Sequence, residues 1–160
     1  MSSGGVRAWG IGAVASLVGA LFIAWPIVVS PNGASEPAQI KRTSAEIGPW
    51  REYAPERVAQ LTAAGRAVFV DFTAAWCVTC QVNKRLVLNT EVVQPAFAHA
   101  NVALLRADWT RRDPVIGEAL TALGRHGVPV YVLYRPGKEP VLFPEVLKTG
   151  EILDAVAALQ

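Results

Sequence analysis

The stretch Ala67-Val68-Phe69-Val70-Asp71-Phe72-Thr73-Ala74-Ala75-Trp76-Cys77-Val78-Thr79-Cys80 decides how this chain folds. Residues 67–72 form a short apolar run rich in branched and aromatic side chains, the composition of a buried strand. Two cysteines at i and i+3 follow, and a helix beginning at them is expected to continue to Leu88. In the first turn of a helix a thiol meets backbone N–H groups without helical partners, and the positive end of the macrodipole. Both favour thiolate, so Cys77 is expected to have a lowered pKa and to be the exposed nucleophile. Cys80, one turn further in, could then attack a mixed disulfide at Cys77 and release the partner as a dithiol. Trp76 would shield one side of the pair. A purely structural disulfide at this spacing closes a tiny loop and restrains little of the unfolded chain. A zinc site is improbable, because His99 and His126 are the only histidines and no further cysteine exists.

Outward from this stretch, strand-like and helix-like runs alternate. Residues 50–53 read as a short edge strand, and residues 55–64 as a helix with Pro55 in its first turn and a stop at Gly65. Beyond the cysteine helix, residues 90–99 read as a helix capped by Thr90, and residues 101–108 as a strand. Asp113 caps a helix that has Pro114 first and closes at Gly124. Residues 129–134 and 141–143 form a hairpin around Pro136-Gly137, and a last helix opens at Thr149 or Gly150. Strands separated by helices are expected to pair in parallel, and the closing hairpin to add antiparallel strands. The outcome is an α/β domain over residues 50–160, a mixed central sheet with helices on both faces.

The chain has 160 residues, 52% of them hydrophobic, and a net charge of +2. The mean hydropathy of +0.30 is high for a soluble domain, and the excess lies at the N-terminus. No charged residue occurs between Ala8 and Ser35, and residues 11–29 are long enough to span a ~30 Å hydrocarbon core as a helix. Trp9 and Trp25 stand near its ends, and Arg7 weakly orients the N-terminus to the cytoplasm. Residues 1–30 are thus expected to be a transmembrane anchor or an uncleaved signal, with a cleaved signal peptide as the competing reading. Residues 31–49 read as a linker. Either reading of residues 1–30 directs the cysteines to an extracytoplasmic compartment. The basic residues are scattered in pairs, so no nucleic-acid partner is expected.

Val70-Asp71-Phe72 followed by Trp76-Cys77-x-x-Cys80 resembles the thioredoxin superfamily. The resemblance implies that Asp71, six residues before Cys77, lies beneath Cys80 and takes its proton, with a pKa raised by burial. It also implies a cis bond between Val128 and Pro129, with Val128 offering its backbone to an extended partner segment. Within the superfamily, Cys77-Val78-Thr79-Cys80-Gln81-Val82-Asn83, Ala107-Asp108-Trp109-Thr110, Gly127-Val128-Pro129 and Phe143-Pro144-Glu145-Val146-Leu147 are similar to the C-terminal domain of DsbD-type transmembrane thiol reductases. In that family a membrane helix precedes this domain, which passes electrons from a membrane relay domain to periplasmic acceptors. The implied activity is a protein-disulfide reductase on the periplasmic side of a bacterial inner membrane, single-pass. Its partners would be protein dithiols or disulfides and a membrane electron-relay domain, and no cofactor is expected beyond the Cys77–Cys80 disulfide. A full DsbD-type protein has further membrane helices and an N-terminal acceptor domain, so this sequence is expected to be a fragment or a separately encoded module. An oxidase or isomerase of the same fold remains an alternative, since direction follows the reduction potential. A thiol-based metal or haem-pathway chaperone is a more distant one.

Overall fold

The apolar run before the cysteines is strand β2 (Val68–Thr73), and all six of its residues are buried. The computed structural model describes residues 49–160; residues 1–48, with the expected anchor and nearly all of the expected linker, lie outside the described residues. A strand covered on both faces belongs inside a sheet. The five strands run in the order β1-β3-β2-β4-β5, with β1 Trp50–Glu52, β3 Ala103–Asp108, β4 Val130–Arg135 and β5 Lys138–Phe143. Among the described residues no helix is long and apolar enough to cross a membrane.

One pairing corrects the expectation. β3 lies parallel between β1 and β2, but β4 runs antiparallel to β2 although a helix precedes it, and β5 is antiparallel to β4. The chain leaves β3 and enters β4 at the same end of the sheet, with Val130 opposite Phe72 and Thr73 opposite Asp108. The intervening helix therefore makes no net crossing, and a parallel pairing would require one.

Alternation along β2 sends its side chains to two separate cores. Val68, Val70 and Phe72 pack with Leu105 and Val132 beneath α1 (Pro55–Ala63) and α4 (Pro114–Ala122), which contribute Val58, Ile116 and Leu120. Phe69 faces the other side with Leu104, Tyr131 and Leu133. That core is closed by Leu88, by Phe97 of α3 (Val93–His99) and by Ile152 of α5 (Thr149–Ala157). Asp71 has the parity of Phe69 and so belongs to the face under the cysteine helix.

The expected caps are present where the local signal is strong. Asp113 Oδ1 accepts the N–H groups of Val115 and Ile116, and Pro114 opens α4. Gly124 closes it at φ 69°, with Gly124 N–H to Thr121 and Arg125 N–H to Leu120 completing the C-terminal motif. Two helices differ from expectation. The cysteine helix is α-helical only over α2 (Val78–Asn83) and widens to π-helix over Lys84–Leu88. The next helix starts at Val93, not Thr90, because the Thr90 hydroxyl donates back to the Val87 carbonyl and accepts the Val93 N–H, joining the two helices.

Phe69 centres the larger core, with ring centroids of Trp50, Phe97 and Phe143 at 6.2, 5.0 and 5.7 Å. Phe69→Ala is expected to cost about 3–5 kcal/mol in a denaturant unfolding measurement, because no neighbour in a close-packed centre can fill the cavity.

Candidate redox site

Cys77 is the N-cap of α2, in extended backbone conformation, and it is disulfide-bonded to Cys80. Its Sγ accepts the Cys80 N–H at 3.2 Å, one of the donors that a helix start leaves unsatisfied. The Ala74 carbonyl takes both the Cys77 N–H at 3.1 Å and the Gln81 side-chain amide at 3.0 Å, tying the β2–α2 loop to the helix. Cys80 is fully buried and Cys77 is 7% exposed. Cys77 is the more accessible sulfur, but it is recessed rather than exposed as its position suggested. The cause is packing: Ala74 and Val128 cover the disulfide.

Val128 arrives there because β4 is antiparallel. Its first residue pairs with Phe72 at the end of β2, so the segment just before β4 stands beside the cysteines. The Val128–Pro129 peptide is cis. The structure thus brings Cys77, Cys80 and Val128 into one cluster, with Pro129 adjoining it.

Asp71 is fully buried in the middle of the sheet, flanked on β3 by Arg106 and on β4 by Tyr131. Its Oδ2 accepts Arg106 Nε at 3.1 Å, and its Oδ1 has no hydrogen-bond partner among the described residues. Burial pushes the carboxyl above the ordinary carboxylate range, against the opposing pull of Lys84 and Arg106. Lys84 is in turn pushed down by its own burial, and the Asp71 charge acts against that. A carboxyl in this state keeps its proton to higher pH than an ordinary aspartate and is a stronger proton acceptor once ionised.

Trp76 is tied to the loop after β3. Its indole N–H donates to the Thr110 carbonyl at 3.2 Å, while the Ala75 N–H donates to the Thr110 hydroxyl at 2.8 Å. Thr110 is held by Asp108, whose carboxylate accepts both its N–H and its hydroxyl. The Trp76 ring lies 6.5 Å from that of Trp109, and Arg112 sits over both. Trp76, Val78 and Val82 remain exposed, so the rim of the site is apolar.

Asn83, Arg106, Thr110 and Arg112 were not among the candidate residues read from the sequence. Asn83 is buried and satisfied: its amide donates to the Tyr131 hydroxyl at 2.9 Å and the Glu145 carbonyl at 2.7 Å, and accepts the Leu147 N–H at 3.2 Å. A signal existed, because Cys80, Asn83 and Val87 follow the helical spacing of a buried face. Arg106 is the lone charge inside an apolar strand pattern, which also marked it.

A family model described as thioredoxin-like matches residues 49–136. The chain belongs to the thioredoxin-like family. Among curated proteins it is similar to the thiol:disulfide interchange protein DsbD of Vibrio cholerae, 32% identical over 93 residues, which are 58% of this chain and 15% of that protein. It is also similar to DsbD 1 of Pseudomonas aeruginosa, 30% identical over 117 residues, covering 68% of this chain and 19% of that protein. The chain therefore spans less than a fifth of the length of these relatives. Among solved structures, the oxidised C-terminal domain of Neisseria meningitidis DsbD superposes with a TM-score of 0.55 at 19% identity, over 69% of this chain and 100% of that one. A thioredoxin from Thermus thermophilus gives 0.55 at 23% identity, over 69% and 85%. These two likenesses concern the fold.

The raised Asp71 pKa sets a pH dependence of stability. Between the unfolded and the folded pKa the native state holds the proton more tightly, so stability falls as pH rises through that window. Asp71→Asn removes the titration. It is expected to flatten the slope, as read from urea midpoints between pH 4 and 9.

Proposed function

We propose that this chain is a membrane-tethered thiol–disulfide oxidoreductase that reduces disulfides of protein partners on the periplasmic face of a bacterial inner membrane. The observation that carries the reading is a recessed Cys77–Cys80 disulfide at the start of α2, directly after the strand β2 that holds the buried carboxyl of Asp71. In the reduced state, Cys77 thiolate attacks one sulfur of the partner disulfide, and the partner's other sulfur leaves with the electron pair. Cys80 then gives its proton to Asp71 and attacks Cys77 Sγ. The mixed disulfide breaks, the partner departs as a dithiol, and Cys77–Cys80 is left oxidised. A dithiol donor must then restore it, and a membrane electron-relay domain is the donor class that fits.

Three things support the finer parts of this reading. The names of the relatives describe thiol:disulfide interchange. The reductive direction is supported by the motif resemblance to DsbD-type reductases. The tether is supported by the uncharged stretch from Ala8 to Ser35. Val128, packed against the disulfide at the start of β4, offers a backbone edge on which an extended partner segment could add as a strand. The exposed Trp76 and Val78 give that segment apolar surface to cover.

Cys77→Ser is expected to abolish reduction of protein disulfides, whereas Cys80→Ser accumulates a mixed disulfide visible on non-reducing gels. Equal accumulation by both variants would refute the assigned roles. Direction is decided by equilibration with glutathione: a potential near the about −270 mV of thioredoxin supports a reductant, and one above about −150 mV an oxidant. Compartment is checked separately. Reduced Cys77 in intact spheroplasts should react with a membrane-impermeant maleimide, and protection until lysis would overturn the periplasmic reading.

A further inference from the structure

Arg112 is built into the rim of the redox site in an unusual way. Its backbone lies at φ 56°, a conformation that glycine adopts freely and a branched or long side chain at a cost. Its guanidinium carbon stands 5.6 Å from the centroid of Trp76 and 5.2 Å from that of Trp109. Stacking on indoles engages the face of the guanidinium and leaves its in-plane N–H fork available. Among the described residues, that fork makes no hydrogen bond or ion pair, and the side chain is exposed.

The acids nearest in sequence make no ion pair with it. Asp108 is committed to the Thr110 N–H and hydroxyl. Asp113 is committed to the start of α4, accepting from Val115 and Ile116. The redox helix adds no acid either, since Lys84 and Arg85 are the only charged residues between Phe72 and Thr90. A cation with no ion-pair partner among the described residues therefore stands over the ring of the residue that precedes Cys77, near the exposed apolar side chains of the site.

We propose that Arg112 is the recognition cation of the exchange site, receiving a carboxylate that stands beside the reacting cysteine of the partner. The inference rests on the exchange reading and adds its substrate class: protein segments whose disulfide is flanked by Asp or Glu. Arg presents a planar fork that matches a carboxylate with two parallel N–H donations, which Lys cannot reproduce. Trp76 and Trp109 hold that fork before the partner arrives, so little side-chain freedom is lost on docking.

The test compares two synthetic peptide disulfides that differ only in Glu against Gln next to the cysteine, mixed with the pre-reduced full chain in single turnover. The wild type should reduce the Glu peptide about three- to fivefold faster at low salt, the range of a partly exposed ion pair, and the ratio should shrink with added sodium chloride. Arg112→Gly, whose backbone suits φ 56°, should bring the ratio to about one, with Arg112→Lys between. A bracing role for Arg112 would slow both peptides alike and leave the ratio unchanged. That result, or a wild type without preference, overturns the proposal. If neither peptide is reduced, the exchange reading falls, and Cys→Ser forms of the same peptides still decide recognition through tryptophan fluorescence titrations. Salt-sensitive binding of the Glu form that Arg112→Gly abolishes sustains it, and equal binding of Glu and Gln forms defeats it.

Discussion

A carboxyl group with no access to water, set in the middle strand of a sheet, is the constraint on which this domain depends. Removing an ion from water costs several kcal/mol unless charge and hydrogen bonds return it. Asp71 receives both only in part. Arg106 reaches one oxygen from β3, and Lys84 contributes charge from the helix side, while the second oxygen accepts nothing from the described residues. The balance leaves the proton more tightly held than on an ordinary aspartate. Much of the surrounding architecture is what such a group requires. The register that puts Arg106 opposite Asp71 keeps the guanidinium within reach, and the same guanidinium lies 4.4 Å over Trp50 at the sheet edge.

The direction of β4 determines which residues meet the disulfide. Had β4 paired in parallel, its start would lie at the far end of β2, about 20 Å away for a six-residue strand. Antiparallel pairing instead delivers Val128 to the sulfurs and shields Cys77. The recess around the cysteines is thus a property of sheet topology and not of the Cys-x-x-Cys turn itself.

The parts of this molecule legible in its sequence are those with local causes. The apolar run of β2, the proline starts of α1 and α4, and the glycine that ends each of them are decided by neighbouring residues, and all occur where expected. The pair of cysteines at a helix start is equally local. What escaped reading is set by distant partners. Nothing near Val130 states that its strand will lie beside β2, and nothing near Lys84 announces a π turn. The depth of Cys77 depends on a residue 51 positions later, and the roles of Arg106 and Arg112 appear only when two strands and two loops are brought together. Asn83 lay between these extremes, since helical spacing marked it as buried but not what it would hold.

That residue carries a consequence for where the working unit ends. The family match closes at residue 136, yet Asn83, three positions after Cys80, is bonded to the backbone of Glu145 and Leu147. The redox helix is therefore anchored to chain that the shared family pattern does not include. The thioredoxin-like family model marks the portion common to that broad family, whereas the hydrogen bonds mark the portion that must be present for the helix to keep its seat. The two borders differ, and a domain excised at the first would leave a buried amide facing an empty half of its own socket.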